Sequence, residues 1–349
     1  MGRKHVQAEQ ESRQRPRRGC FGRFLMLLII LEGILLAIGI GAFFYVNTVY
    51  DKIPQVKDDT AAILSELEQW GRKLFKKDDG IVNILVVGQD MREEENHKLS
   101  DAMILCSFNR NTETLTMCSL MRDMYVRLPD YAGHTGGMNR INAAYALGYQ
   151  WNGEFGGMEM LDKLIQEQFG VEVDCNVEFS FDSFVQVVDA LGGVEIELTG
   201  EEASFLNGQP QLSGNLTEGM NLLDGETALA YARTRHSSTS DSDFSRTARQ
   251  RKLISAVFRK CRGMGIMELG KLAEQLLPLI RTDMGKGQMV SLGVKLLPAL
   301  RSLELESQQI PAPGTYENAR VEINGVGAAV LIPDLEENRR ILTEICEGQ

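Results

Sequence analysis

With 349 residues, 43% of them hydrophobic and 24% charged, the chain has the composition of an ordinary globular protein rather than a disordered one. Its formal net charge of -11 is unevenly shared, because residues 1–23 carry seven Lys or Arg against two Glu, a net +5, and the remainder therefore carries -16. A body that acidic repels phosphate backbones, which excludes a nucleic-acid function resting on a broad basic surface.

Behind the basic head comes FLMLLIILEGILLAIGIGAFFY, residues 24–45, in which Glu32 is the only charged residue. A helix of that length spans roughly the 30 Å of bilayer hydrocarbon. The run is longer than a signal peptide's apolar core and ends in aromatic residues rather than a small-residue cleavage site, so it is expected to be an uncleaved anchor. The Lys and Arg before it place residues 1–23 in the cytoplasm and the acidic body outside the cell.

Residues 46–78 carry Ile63, Leu64, Leu67, Trp70 and Leu74 at helical spacing and are read as a stalk. IVNILVVG (81–88), AMILCSF (102–108) and TLTMCSL (114–120) read as strands, the last two joined by an NRNTE turn. Helical patterns follow near 141–148, 157–169 and 180–191, and GGVEIEL (192–198) returns to strand. Strands interleaved with such helices imply an α/β fold, a central β-sheet covered by helices, in one domain over 79–349. Residues 263–349 read as two amphipathic helices, an extended GTYENARVEI stretch and a last helix from Pro333. Cys106 and Cys118 either face each other across the hairpin or stay free and buried; no cysteine spacing suggests zinc.

Three stretches carry candidate chemistry. GQDMR (88–92) follows the first strand, and Ser100 and Asp101 precede the second, so Asp90 and Asp101 can meet at one sheet edge. Two carboxylates plus phosphate oxygens suit Mg²⁺, although turn and cap roles would explain the same residues. In SLMRDMYV (119–126), Arg122 and Asp123 read in isolation as a surface ion pair.

The third stretch, ALAYARTRHSSTSDSDFSRTARQRK, concentrates Arg233, Arg235, Arg246, Arg249, Arg251 and Lys252. Asp224 caps a short helix ending near Arg233, and Asp243 or Ser245 caps a second that runs to Gly263. On this second helix Arg246, Arg249 and Gln250 share the apolar stripe of Leu253, Ile254 and Val257, whereas Arg251, Lys252, Arg259 and Lys260 are expected on the solvated face. Buried guanidinium groups need anions. They therefore suggest a phosphate or pyrophosphate pocket, with an internal Arg–carboxylate network as the alternative.

NILVVGQDMR, SDAMILCSFN, SLMRDMYV, RINAAYALG, VVDALGGVEI, LDGETALAYARTR and DFSRTARQRK occur in the order and spacing of the LytR-CpsA-Psr family, which the chain resembles over about 79–262. The resemblance implies a Mg²⁺-dependent phosphotransferase, with Mn²⁺ as an alternative ion, in a Gram-positive-type cell envelope. Such enzymes transfer a teichoic acid or capsular polysaccharide from a polyprenyl pyrophosphate carrier to peptidoglycan. By motif, Asp90 and Asp101 resemble the metal carboxylates. Arg122, Arg233, Arg235, Arg246 and Arg249 resemble the pyrophosphate clamp, supported by Arg92 and Gln250, with Arg122, Arg233, Arg235 and Asp90 in the catalytic set. The prenyl tail lies in the family in an apolar groove, which residues 180–191 are expected to line.

Two positions depart from the family pattern: Leu99 beside Lys98 replaces an Arg, and Met121 replaces a Pro. Loss of one charged hydrogen bond would weaken phosphate binding by roughly 1.5–3 kcal/mol. A nearby carboxylate, Asp90 among them, is the candidate base, although a metal-bound Asp is a poor one. A pyrophosphate hydrolase and a non-catalytic protein that binds lipid-linked polymer remain the rival readings.

Overall fold

The computed structural model describes residues 80–89, 100–212, 214–234, 242–285, 289, 292–293 and 299–347. The head, anchor and stalk expected over 1–78 lie outside the described residues, as do Asp90, Arg92, Leu99, Arg235 and the side chain of Asp101. Among the described residues no helix is long and apolar enough to cross a membrane.

The three predicted strands form as β1 (Ile81–Gln89), β2 (Ser100–Asn109) and β3 (Thr114–Leu120), each one or two residues from the predicted bounds or matching them. A short hairpin of β4 (Tyr125–Arg127) and β5 (Met138–Arg140) leads into α1 (Ala143–Phe169). This helix is broken at Asn152 and Gly153, where Gly153 takes φ 73°, and so reproduces the two separate helical stretches read from the sequence.

β6 (Cys175–Ser180) passes directly into α2 (Phe181–Ala190), whose cap is the Ser180 hydroxyl accepting from the Ser183 N–H at 3.0 Å. β7 (Val194–Leu198), α3 (Gly200–Asn207), β8 (Gly219–Leu223) and α4 (Gly225–Arg233) follow, then α5 (Ser242–Arg262) and α6 (Ile266–Leu276). The chain ends with β9 (Ile280–Thr282), β10 (Glu304–Ile310), β11 (Tyr316–Ile323), β12 (Val326–Pro333) and α7 (Leu335–Glu347).

The central sheet has the order β10-β3-β2-β1-β6-β9. β1 runs antiparallel to β2 and parallel to β6, while β10 runs parallel to β3. One face packs Leu85, Val87, Leu105 and Cys118 against Tyr145, Leu161 and Leu164 of α1 and Leu342 of α7. The opposite face packs Ile104, Cys106 and Phe108 against Ile254 and Phe258 of α5. Helices thus cover both faces, as expected for an α/β fold.

The hairpin register pairs Cys106 with Met117 and Leu105 with Cys118. That one-residue offset puts the two cysteines on opposite faces, and both are free and buried, so the disulfide alternative does not hold. β7 does not join the main sheet; it pairs with β8 over a smaller core formed with α2, α4 and α5.

Candidate active site

Strand direction gathers the predicted chemistry at one edge. Gln89 pairs with Ser100 on one side and with Ser180 on the other, and Ile104 pairs with Ser119 near the end of β3. The backbone of Asp101, the start of α2 and the segment leading to Arg122 therefore share this edge. Asp90 directly follows Gln89 in the chain.

Arg233 reaches the same edge from α4. Asp224 caps that helix, accepting from the Thr227 N–H at 2.9 Å, and Gly225 allows its first turn to lie against α2. A Cβ at Gly225 would stand 2.4 Å from the Val185 carbonyl oxygen, while the Gly225 N–H donates to Asp189 Oδ1 at 2.8 Å. The last turn of α4 then carries the Arg233 guanidinium to 4.7 Å from the centre of the Phe181 ring, a cation–π contact at the mouth of an apolar cavity.

Arg246 and Arg249 point inward as their place on the apolar stripe predicts, with only 5% and 7% of their surfaces exposed. The helix carrying them begins at Ser242, so Asp243 and Ser245 lie within its first turn and are not its caps. Arg249 is engaged within the protein. It donates through Nη2 to the Thr234 carbonyl, and its Nη1 lies 3.6 Å from Glu202 Oε1. This is the internal Arg–carboxylate alternative, and it fixes the residue immediately before Arg235.

The solvated face also needs correction. Arg259 is exposed, but Arg251 donates to Ser119 Oγ at 2.9 Å and to Ser307 Oγ, and Lys252 donates to the Glu197 carbonyl. Cations off the apolar stripe of α5 thus meet residues of β3, β10 and β7.

Arg122 does form the predicted pair, Nε to Asp123 Oδ2 at 3.5 Å, within a larger cluster. Asp123 Oδ1 lies 3.3 Å from Arg140 Nε, and Arg140 Nη2 donates to the Ala329 carbonyl at 2.9 Å. β12 closes over the cluster through the Leu331 N–H, which donates to the Asp123 carbonyl at 3.0 Å. Sequence reasoning missed Arg140 as part of this group, although it opens the RINAAYALG motif. Met121, which stands in place of the family's usual Pro, donates its N–H to the Ile310 carbonyl at 2.8 Å, a bond Pro cannot make.

Gln250 lines the apolar cavity together with Val86, Ala102, Phe181, Phe184 and Leu253. The expectation that α2 would line an apolar groove thus holds for Phe181 and Phe184. Beneath this edge, Tyr145 donates to Glu178 Oε2 at 2.7 Å, and Arg281 Nη1 lies 3.4 Å from Glu178 Oε1. Burial, followed by the Glu178 charge, pushes the Tyr145 hydroxyl well above its ordinary value. This support was invisible in sequence because its residues lie far apart along the chain. Among the described residues no group of three His, Cys, Asp or Glu forms a metal cluster.

A narrow apolar cavity with a guanidinium stacked at its mouth suits an amphiphile with an anionic head. The chain belongs to the LytR_cpsA_psr family, which matches it over residues 45–331. It is 30% identical over 274 residues to the polyisoprenyl-teichoic acid–peptidoglycan teichoic acid transferase TagU of Oceanobacillus iheyensis, covering 78% of each chain. It is 32% identical over 190 residues to biofilm regulatory protein A of Streptococcus mutans, covering 52% of this chain and 45% of that one. The solved structure of the LytR-CPS2A-psr family protein YwtF (TagT), with bound octaprenyl pyrophosphate lipid, superposes with a TM-score of 0.55 at 25% identity. That superposition covers 77% of this chain and 92% of TagT.

Proposed function

We propose that this protein transfers an anionic glycopolymer from a polyprenyl pyrophosphate carrier to peptidoglycan. The observation that carries the reading is Arg233 standing over Phe181 at the mouth of the apolar cavity, where a lipid pyrophosphate would meet a cation as its tail enters apolar surroundings. Kinship with transferases named for polyisoprenyl-linked teichoic acid supports it.

In this reaction an acceptor sugar hydroxyl attacks the phosphorus that bears the glycopolymer. A P–O bond forms, the bond to the bridging oxygen breaks, polyprenyl phosphate departs, and the hydroxyl proton passes to a base. Catalysis of such a transfer is mostly alignment and charge neutralisation. Arg233 binds the pyrophosphate, Arg249 fixes the Thr234 backbone that leads into Arg235, and the Phe181 ring orients Arg233 from below. The donor chemistry of two carboxylates, Asp90 and Asp101, fits Mg²⁺, which would supply further charge neutralisation to the phosphates. The cavity is narrow, about 40 Å³, and Phe181 and Phe184 are among the side chains that line it.

The basic head and apolar span of residues 1–45 would hold this site on the outer face of the membrane that carries the lipid. The test is mass spectrometry of lipid co-purifying with the full-length chain and with Arg235→Ala. A polyprenyl phosphate species present in the first and lost in the second is expected; no bound lipid in either overturns the reading. The name of the Streptococcus mutans relative favours a second reading, a non-catalytic regulatory protein. Mg²⁺-dependent transfer that appears only when peptidoglycan is added would remove both it and a hydrolase.

A further inference from the structure

α4 separates two cavities of opposite character. Leu229 lines both: on one side lies the apolar cavity of Phe181 and Phe184, and on the other a cleft of about 280 Å³ lined by Phe205, Gln209, Gln211, Glu226 and Arg233. Arg233 marks their junction, since it stacks on a ring of the first and itself lines the second.

The chemistry of this second cleft is polar and directional. Gln209 and Gln211 each offer an amide donor and an acceptor, Gln211 Nε2 already lying 3.3 Å from Gln209 Oε1, and Glu226 adds an exposed acceptor. Phe205 and Leu212 supply the apolar floor on which a sugar ring can rest. Among the described lining residues Arg233 is the only cation, and Glu226 would repel a chain of phosphates. An uncharged, hydroxyl- and amide-rich polymer fits this lining better than a polyanion does.

We infer that this cleft binds the acceptor, the uncharged glycan backbone of the wall, and presents one of its hydroxyls toward the phosphate group at Arg233. The inference rests on the transferase reading for the identity of the glycan, but the cleft itself can be tested separately. The full-length chain in nanodiscs is titrated with wall-glycan oligosaccharides, and the apparent KM values for acceptor and lipid-linked donor are measured for wild type, Gln209→Ala/Gln211→Ala and Glu226→Ala.

The double variant is expected to bind oligosaccharide about tenfold more weakly. Its acceptor KM rises by the same factor, with donor KM and melting temperature unchanged, and Glu226→Ala shifts both acceptor readouts in the same direction. A change in donor KM instead would make the cleft the glycopolymer's site and overturn the inference. Wild-type oligosaccharide affinity in both variants would overturn it as well. If the wild type transfers nothing yet binds oligosaccharide in a Gln209- and Gln211-dependent way, the transferase reading fails while the cleft stands.

Discussion

Arg233 illustrates how a single side chain's role depends on its partner. Its guanidinium is exposed and stacked on Phe181, so a phosphate can approach it while it loses little freedom on binding. Replacing it with Ala should remove about 1.5–3 kcal/mol of lipid affinity, roughly ten- to a hundredfold in a titration with polyprenyl pyrophosphate. Lys should restore only part of that, because it keeps the charge without the fork. Arg249 behaves differently because Glu202 and the Thr234 carbonyl already occupy it. Arg249→Ala should lower stability by about 2–4 kcal/mol in urea unfolding, by leaving the largely buried Glu202 carboxylate without its cation. Asp162 carries a pH signature. Burial first, then repulsion from Asp283 and Glu159, pushes its carboxyl up to about 7, against the hydrogen bond from Asn176 Nδ2 at 2.7 Å. Asp283 accepts from the same Asn176 amide at 2.9 Å. The folded chain therefore holds a proton that the unfolded chain releases above pH of about 4. This group's contribution to stability falls as pH rises from about 4 to 7, by at most about 1.4 kcal/mol per unit, and levels off above. Asp162→Asn should flatten that slope in melting curves taken across the window.

At the scale of elements, legibility followed burial pattern. β1, β2 and β3 were legible because apolar residues fill them and turn residues bound them, and α4 because Asp224 announces its cap. β9 and β10 were missed. ELESQQI buries only Ile310 and has an edge strand's polarity, so nothing but its pairing with β3 makes it a strand. The two clefts flanking α4 were hidden too, since a helix's sequence does not say what stands on either side of it. The apolar cavity depends on small residues: Ala102 faces Gly88, where an added Cβ would come within 3.3 Å of the Ala102 Cβ. Ala102→Leu should fill the cavity, cost about 1–3 kcal/mol of stability by overpacking, and abolish co-purification of lipid by mass spectrometry.

For the whole molecule, a formal net charge of -11 coexists with cations gathered near one end of the central sheet, so the local field there differs in sign from the overall charge. Chelation of divalent metal, or Asp101→Asn, should abolish transfer while leaving polyprenyl pyrophosphate bound, since the guanidinium groups remain; a radiolabelled-donor assay run beside lipid binding checks this. The resemblance to a known family was legible from motif order because the motifs are contiguous stretches that coincide with, or adjoin, single strands and helices. Charge distribution, the apolar strands β1 to β3, the inward turn of Arg246 and Arg249, and the Asp224 cap are all local or periodic properties, and the amino-acid sequence by itself determined them. The tertiary structure alone decided which cations already have protein partners, that Arg140 joins Asp123, that Arg251 meets Ser119, and that Arg233 stands between an apolar and a polar cavity. Those facts depend on contacts between residues tens to more than a hundred positions apart, and periodicity carries no information across such distances.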